Sequence, residues 1–305
     1  MSATEARTTE TDVRGELQRQ LDLLSDFECS QLLRLFDNVS VGQRFWEHEI
    51  ATLYNERVKF RSLRREEDAG PPVPAAPETE AGIFAPIPIT KSVRTSERMV
   101  LPATVATQLS VAEALERRRS RRAYVASPLP AEQLSTLLRY AAGETGHTQG
   151  YGYDRLPLRT FPSSGGLQVP ELYVSIQSVD DIPPGLYHYQ PSDNALELLR
   201  AGQHGAFLKM ASLGQPYLET AAAVVIATGC FDRLRWKYGE RGYRYMCMDV
   251  GYLGQSLYLL GEALGLGVCA IAGFMDDALE QFLGVDGQNE IPLLLTTIGV
   301  LSPDG

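Results

Sequence analysis

Along the first 66 residues, apolar side chains recur at helical spacing. In LQRQLDLLSDFECSQLLRLFDNVS they fall at Leu17, Leu21, Leu24, Phe27, Leu32, Leu33 and Phe36, one face of a 3.6-residue period. A second run, GQRFWEHEIATLYNERVKFRSLRREE, keeps that helical character. The pattern then stops at DAGPPVPAAPETEAG, residues 68–82, whose Pro, Ala and Glu content is that of a linker. The spacing therefore predicts a small helical module over 1–67, a linker over 68–94 and a main domain over 95–305.

Beyond residue 109 helical and strand patterns are interleaved. SVAEALERRRS has Ser110 as N-cap and Glu113 three residues on, the spacing of a capping box. PAEQLSTLLRYAAGE predicts an amphipathic helix ending at Gly143. ELYVSIQSV and GLYHYQP alternate like paired strands, and ALELLRAG supplies a third. AAAVVIATG is a continuous apolar run of strand length, and IPLLLTTIGV is a final buried strand. Between them MDVGYLGQSLYLLGEALGLG predicts a long, largely buried helix, followed by a strand and turn in VCAIAGF. Strands and helices mix without regular alternation, so the class is α+β and not doubly wound α/β.

Composition narrows the function. At 305 residues, with 44% apolar and 22% charged residues, the chain is an ordinary globular protein. Its net charge of −10 argues against a nucleic-acid partner. The polar N-terminus has no signal-peptide core, and the apolar stretch 252–271 contains Gln255 and Glu262, which suits a helix running into a strand and not a membrane span. Four scattered cysteines and four scattered histidines predict no metal site, and buried free thiols in a cytoplasmic protein.

Four segments carry chemistry. LERRRSRRAY, 115–124, packs five arginines around one serine in an acidic chain. A solvated helix face is one reading; a cradle for one phosphate is the other, since guanidinium forks and a hydroxyl match phosphate oxygens. In FPSSGGL, two glycines let the backbone approach a flat ring, and two hydroxyls can reach heteroatoms, although alone it is an ordinary Gly/Ser turn. AIAGF is a small-residue turn after a strand. Lys237-Tyr238 precedes the long helix by about a dozen residues and alone would be a surface lysine beside a half-buried ring.

The ordered set, over roughly 95–301, resembles the nitroreductase-like flavoproteins, and within them the SagB-type branch that oxidises thiazolines and oxazolines to thiazoles and oxazoles. The resemblance implies a nitroreductase-like fold with a mainly antiparallel sheet flanked by helices, noncovalent FMN and a homodimer. It implies that Arg118, Ser120 and Arg122 hold the FMN phosphate, leaving Arg117, Arg119 and Arg121 surplus. It implies that Pro162, Ser163, Ser164, Gly165 and Gly166 line the isoalloxazine, and that Ala272 and Gly273 aim a backbone N–H at the flavin. Lys237 and Tyr238 become the catalytic pair: a base removes the proton from the ring carbon next to nitrogen while hydride passes to FMN, which oxygen reoxidises. A lysine base must be neutral, which calls for a pKa drawn below its ordinary ~10.4 by burial or by nearby Arg233, Arg235 or Arg241. Glu240 and Asp249 are the rival bases. No basic residue follows Arg244, so phosphate binding rests on the arginine motif or on a partner subunit. The substrate implied is an azoline on a peptide or carrier protein, in ribosomal or nonribosomal natural-product biosynthesis. An NAD(P)H-dependent nitroreductase or quinone reductase is the alternative enzyme, and a non-catalytic carrier- or peptide-binding scaffold the alternative outside catalysis.

Overall fold

Alternating apolar residues give the main domain one seven-stranded sheet. Its strands run in the order β1 (Arg98–Val100), β6 (Ala195–Ala201), β5 (Gly185–Gln190), β4 (Pro170–Ile176), β7 (Ala223–Cys230), β9 (Glu290–Val300) and β8 (Leu266–Ile271). Every neighbouring pair is antiparallel. The computed structural model describes residues 87–301, less Arg94, Ser96 and Gln108, together with Tyr54. The chain divides into two compact units, Met1–Pro72 and Val73–Gly305. The helical module expected at 1–67, and the linker up to residue 86, lie outside the described residues save for Tyr54.

The sheet is covered on both sides, and the strand period of two assigns side chains to each layer. Leu172, Val174 and Ile176 of β4, with Val225 and Ala227 of β7, pack against helices α2 (Ala131–Ala142) and α6 (Gly242–Ala263). Tyr173, Val224 and Ile226 face the other way, onto α3 (Gly205–Ala211), α4 (Tyr217–Thr220) and α7 (Asp276–Leu283). Leu134, Leu137 and Leu138 of α2 are fully buried, and each contributes about 1.5–3 kcal/mol of apolar burial. The α+β class with a mainly antiparallel sheet between helices is what the structure shows.

Local signals behave as their chemistry requires. Helix α1 (Val111–Arg117) starts on the complete Ser110/Glu113 capping box, and α2 ends at Gly143. Two features depart from expectation. The long helix α6 starts at Gly242 and buries one face only, through Met246, Asp249, Val250, Leu253 and Leu257, while Tyr243, Met248 and Tyr252 are exposed. Its apolar residues are spread around more than one face, so composition alone overstates its burial. Of the described cysteines, only Cys269 is buried; Cys247 lies on the open face of α6 and Cys230 is half-buried. Beside the main sheet, β2 (Glu144–Gly150) and β3 (Tyr153–Arg159) form a separate hairpin, and the short α5 (Asp232–Tyr238) precedes α6. Among the described residues, no helix is long and apolar enough to cross a membrane, and no group of three or more His, Cys, Asp or Glu is arranged to hold a metal.

Candidate active site

The arginine knot is the C-terminal end of α1 and the extended segment that follows it along β8. Arg121 N–H donates to Val268 O and fixes this path. The five arginines then separate into two sets. Arg117 pairs with Glu113 at 3.6 Å and Arg121 with Glu262 at 3.8 Å, while Arg119 donates to the Glu116 and Arg118 carbonyls. Arg118 and Arg122 pair with no carboxylate among the described residues. Their guanidinium carbons lie 5.7 Å from the ring centres of Tyr258 and Tyr217 respectively. Ser120 Oγ shares a 2.9 Å hydrogen bond with the Tyr258 hydroxyl, which also accepts from Ala270 N–H at 2.8 Å. Arg122 also donates to the Ser120 carbonyl at 3.4 Å, so the two motif arginines differ from Arg117 and Arg121 in having no carboxylate partner among the described residues.

The Ser/Gly segment is a 3-10 turn, Ser164–Gly166, anchored to α6 by a buried carboxylate. Asp249 accepts from Ser163 Oγ at 3.1 Å, from Ser164 N–H at 2.9 Å and from Ser164 Oγ at 2.7 Å. Ser163 Oγ in turn accepts from Gln168 N–H at 2.8 Å. The sequence reading aims both hydroxyls at ring heteroatoms; in the structure their protons go to Asp249, leaving the glycine backbone as the turn's open face. Asp249 is therefore the anchor of the turn. Burial pushes its pKa up, and the three serine hydrogen bonds work against that rise.

Lys237 and Tyr238, at the end of α5, stand over this same turn. Gly165 has φ +64°, and a Cβ built there would sit 2.5 Å from the Tyr238 hydroxyl and 3.3 Å from Lys237 Nζ. Only glycine admits both the left-handed backbone and this approach. Lys237 Nζ donates to the Tyr151 hydroxyl and lies 4.2 Å from the Tyr151 ring centre and 5.0 Å from that of Tyr238. Partial burial favours neutral Lys237, but hydrogen bonds to Tyr151 and Tyr238 outweigh it and the pKa is held above its ordinary value. The arginines near it in sequence engage other groups: Arg233 is buried on Glu171 at 2.5 Å, Arg235 pairs with Asp232 at 3.2 Å, and Arg241 donates to the Tyr245 hydroxyl at 2.8 Å. The downward shift that a neutral base requires is therefore absent from this arrangement.

Ala272 and Gly273 are exposed on the turn after β8, where the Leu213 side chain approaches Gly273. The Arg118–Arg122 segment and the Ser/Gly turn contact α6 at different places. They touch α6 at Tyr258 and Asp249, nine residues apart (258 − 249), which at about 100° per residue places them on opposite faces. A cleft of about 530 Å³ lies elsewhere, beside Lys91, Cys230, Arg233 and Glu290. Its cations are already paired with Glu290 and Glu171, and burial pushes the Cys230 thiol up to about 12, so it offers no nucleophile at neutral pH. Three residues of the candidate site carry no individual sequence signal for their roles: Tyr151, Tyr258 and Asp249 as an anchor. Gly150 and Gly152 flank the hairpin tip, but Tyr-Gly is not one of the usual two-residue turn pairs.

The antiparallel sheet between helices is the nitroreductase fold, and sequence comparison agrees. The chain belongs to the Nitroreductase family, whose pattern matches residues 115–300; proteins of this family typically bind FMN. MJ1384, a nitroreductase-like protein of Methanocaldococcus jannaschii, is 32% identical over 192 residues, covering 63% of this chain and 91% of that protein. The microcin B17-processing protein McbC of Escherichia coli is 25% identical over 156 residues, in agreement with the SagB-type resemblance; the chain spans 56% of McbC and McbC covers 48% of the chain. The solved Escherichia coli microcin synthetase McbBCD complex with truncated pro-MccB17 includes a chain of the same fold, at TM-score 0.50 and 20% identity over 93% of this chain and 97% of that one. The donor set fits FMN: two guanidiniums and a hydroxyl suit a phosphate dianion, and a glycine turn offers backbone to a flat ring.

Proposed function

We propose that the chain oxidises thiazoline or oxazoline rings to thiazoles or oxazoles in peptide natural-product biosynthesis, with FMN as cofactor. The observation that carries this reading is the convergence of Lys237 and Tyr238 on Gly165, which joins the proposed proton-handling pair to the proposed ring-lining turn. Arg118, Ser120 and Arg122 would hold the phosphate, and the turn from Pro162 to Gly166, with Ala272 and Gly273, would frame the ring. Bound FMN would supply the hydride acceptor. Lys237 Nζ in its neutral form, released from the Tyr151 hydroxyl, takes the proton from the ring carbon next to nitrogen, and the Tyr238 hydroxyl orients Nζ and the substrate nitrogen. Because the phosphate motif and the Ser/Gly turn sit on opposite faces of α6, a complete site would draw on two chains, with the open Met248 and Tyr252 face between them.

The experiment is anaerobic mixing of the flavin-loaded protein with a synthetic thiazoline peptide or thioester, following flavin bleaching. Lys237→Ala should stay folded and yellow and lose at least about two decades of rate. A near-wild-type rate in that variant overturns the assignment of the base. The raised pKa of Lys237 favours the alternative, an NAD(P)H-dependent nitroreductase that needs no such base; rapid bleaching by NADPH without bleaching by azoline would establish it instead.

A further inference from the structure

Tyr151 is a non-glycine residue near the candidate site held in the left-handed region, at φ 53°. It forms, with Gly152, the two-residue tip of the β2–β3 hairpin, between paired Gly150 and Tyr153. Both tip residues have positive φ, 53° and 79°, the pattern of a type I′ turn. Asn or Gly normally fills the first of these positions; a bulky aromatic there is a genuine outlier. The turn thus gains nothing from tyrosine. Nor does the core, since Tyr151 is 44% exposed. What the tyrosine does touch is Lys237. Its hydroxyl accepts from Nζ, its ring lies under the cation, and its edge meets Trp236 at 5.6 Å and 75°. Backbone strain kept at one position and directed at one side chain points to function.

We propose that Tyr151 is the positioning residue for Lys237, holding Nζ against Tyr238 and the Ser164–Gly166 turn until substrate displaces the hairpin tip. The hairpin suits such a movement. Among the described residues its two strands pair only with each other, their register is broken twice, and most of β2 is exposed. An isolated two-strand ribbon belongs to the low-stability end of a fold. Among the described residues, the two elements whose titratable side chains face Lys237 are this hairpin, through Tyr151, and its own helix, through Tyr238. Removing the first frees Nζ from an acceptor that stabilises its charged form. The proposal rests on the reading of Lys237 as base, and its test is independent of substrate.

The test uses the full chain and an amine-reactive label, with modification of Lys237 followed by peptide mass spectrometry at fixed pH. Tyr151→Phe keeps the ring and loses the acceptor, and should raise the labelling rate of Lys237 about threefold. Tyr151→Asn also removes the ring and should raise it about tenfold, while relieving the turn, so that Tm stays within about 2 °C of wild type or rises. With a thiazoline peptide, both variants should lower kcat more than they raise KM. A purely structural tyrosine predicts the reverse: a lower Tm and unchanged Lys237 labelling. Unchanged labelling in both variants overturns the proposal whatever the substrate. Faster labelling together with no azoline oxidation by the wild type would uphold the Tyr151–Lys237 coupling and overturn the azoline reading alone.

Discussion

Replacing Asp249 tests the least obvious part of the site, its anchor. Asp249→Ala removes the acceptor of the Ser164 amide and of two serine hydroxyls. The hydroxyls can rotate toward water at the half-buried turn. The amide is fixed by the backbone, and an orphaned buried donor costs about 1–3 kcal/mol. Opposing this, the carboxylate is itself penalised by burial, as its raised pKa shows. The net expectation is a loss of about 2 kcal/mol, which for a domain of this size lowers Tm by roughly 4–8 °C. Asp249→Asn keeps one acceptor oxygen and the volume, and should cost less than about 1 kcal/mol.

The pH dependence separates the two contributions. The folded pKa of Asp249 lies above its ordinary 3.8, so the fold favours the protonated acid. Its stabilisation is fully present below pH 3.8 and is lost as pH rises through the raised value. Relative to Asp249→Asn, whose amide mimics the neutral acid, the wild type should therefore lose ground between acid and neutral pH. Circular-dichroism melts of the three proteins across that window decide the matter. An Asp249→Ala melt within 1 °C of wild type would refute the anchor role, and a wild-type advantage over Asp249→Asn that grows with pH would refute the burial argument.

Two further outcomes follow from the same reasoning. Burial works against the Glu171 carboxylate, but Arg233, His188 and Arg159 outweigh it and bring its pKa down to about 2; as pH falls from 4.5 through that value, about 3 kcal/mol of stability should be lost, and Glu171→Gln should flatten the acid limb of the unfolding curve. Arg118→Ala should weaken FMN binding by roughly one to two decades, read by flavin fluorescence titration, and unchanged affinity would remove the phosphate motif from the proposal.

What was legible in the sequence was what is decided locally. The Ser110/Glu113 box, the stop at Gly143 and the apolar runs of β7 and β9 are set by neighbours in the chain, and the structure shows each of them. The hairpin at 144–159 escapes a pattern reading because ETGHTQG is polar and glycine-containing, with no apolar face to alternate. The reading of α6 as largely buried fails because hydropathy counts apolar residues without regard to the direction they face. At the site, chemistry-bearing types are visible in the sequence, but their partners are distant. Ser164 meets Asp249 across 85 positions and Lys237 meets Tyr151 across 86. Type and spacing bring Ser163 and Ser164 forward as flavin ligands; only folding shows that a carboxylate already takes their protons.

One helix sets the geometry of the two segments that the proposed site needs. Asp249 fixes the Ser/Gly turn to one face of α6, and Tyr258 links Ser120 to Ala270 on the opposite face, about 14 Å further along at 1.5 Å per residue. Such a spacer is useful only if it cannot roll, and α6 is seated on the sheet closely enough to prevent that. A Cβ on Gly261 would lie 2.2 Å from Val268 Cγ2, and one on Gly254 would lie 2.9 Å from Leu294 Cδ2, so backbone rests directly on β8 and β9 at two points. Buried Leu253 and Leu257 complete the contact. A rotation of even one residue position would swing Asp249 away from Ser164 and Tyr258 away from Ser120 together. The seat of α6 therefore couples the Ser/Gly turn to the Arg118–Arg122 segment. In the two-chain site proposed above, that coupling would give a physical reason for a helix this apolar to leave one face open: the closed face holds the register, and the open face would meet the second chain.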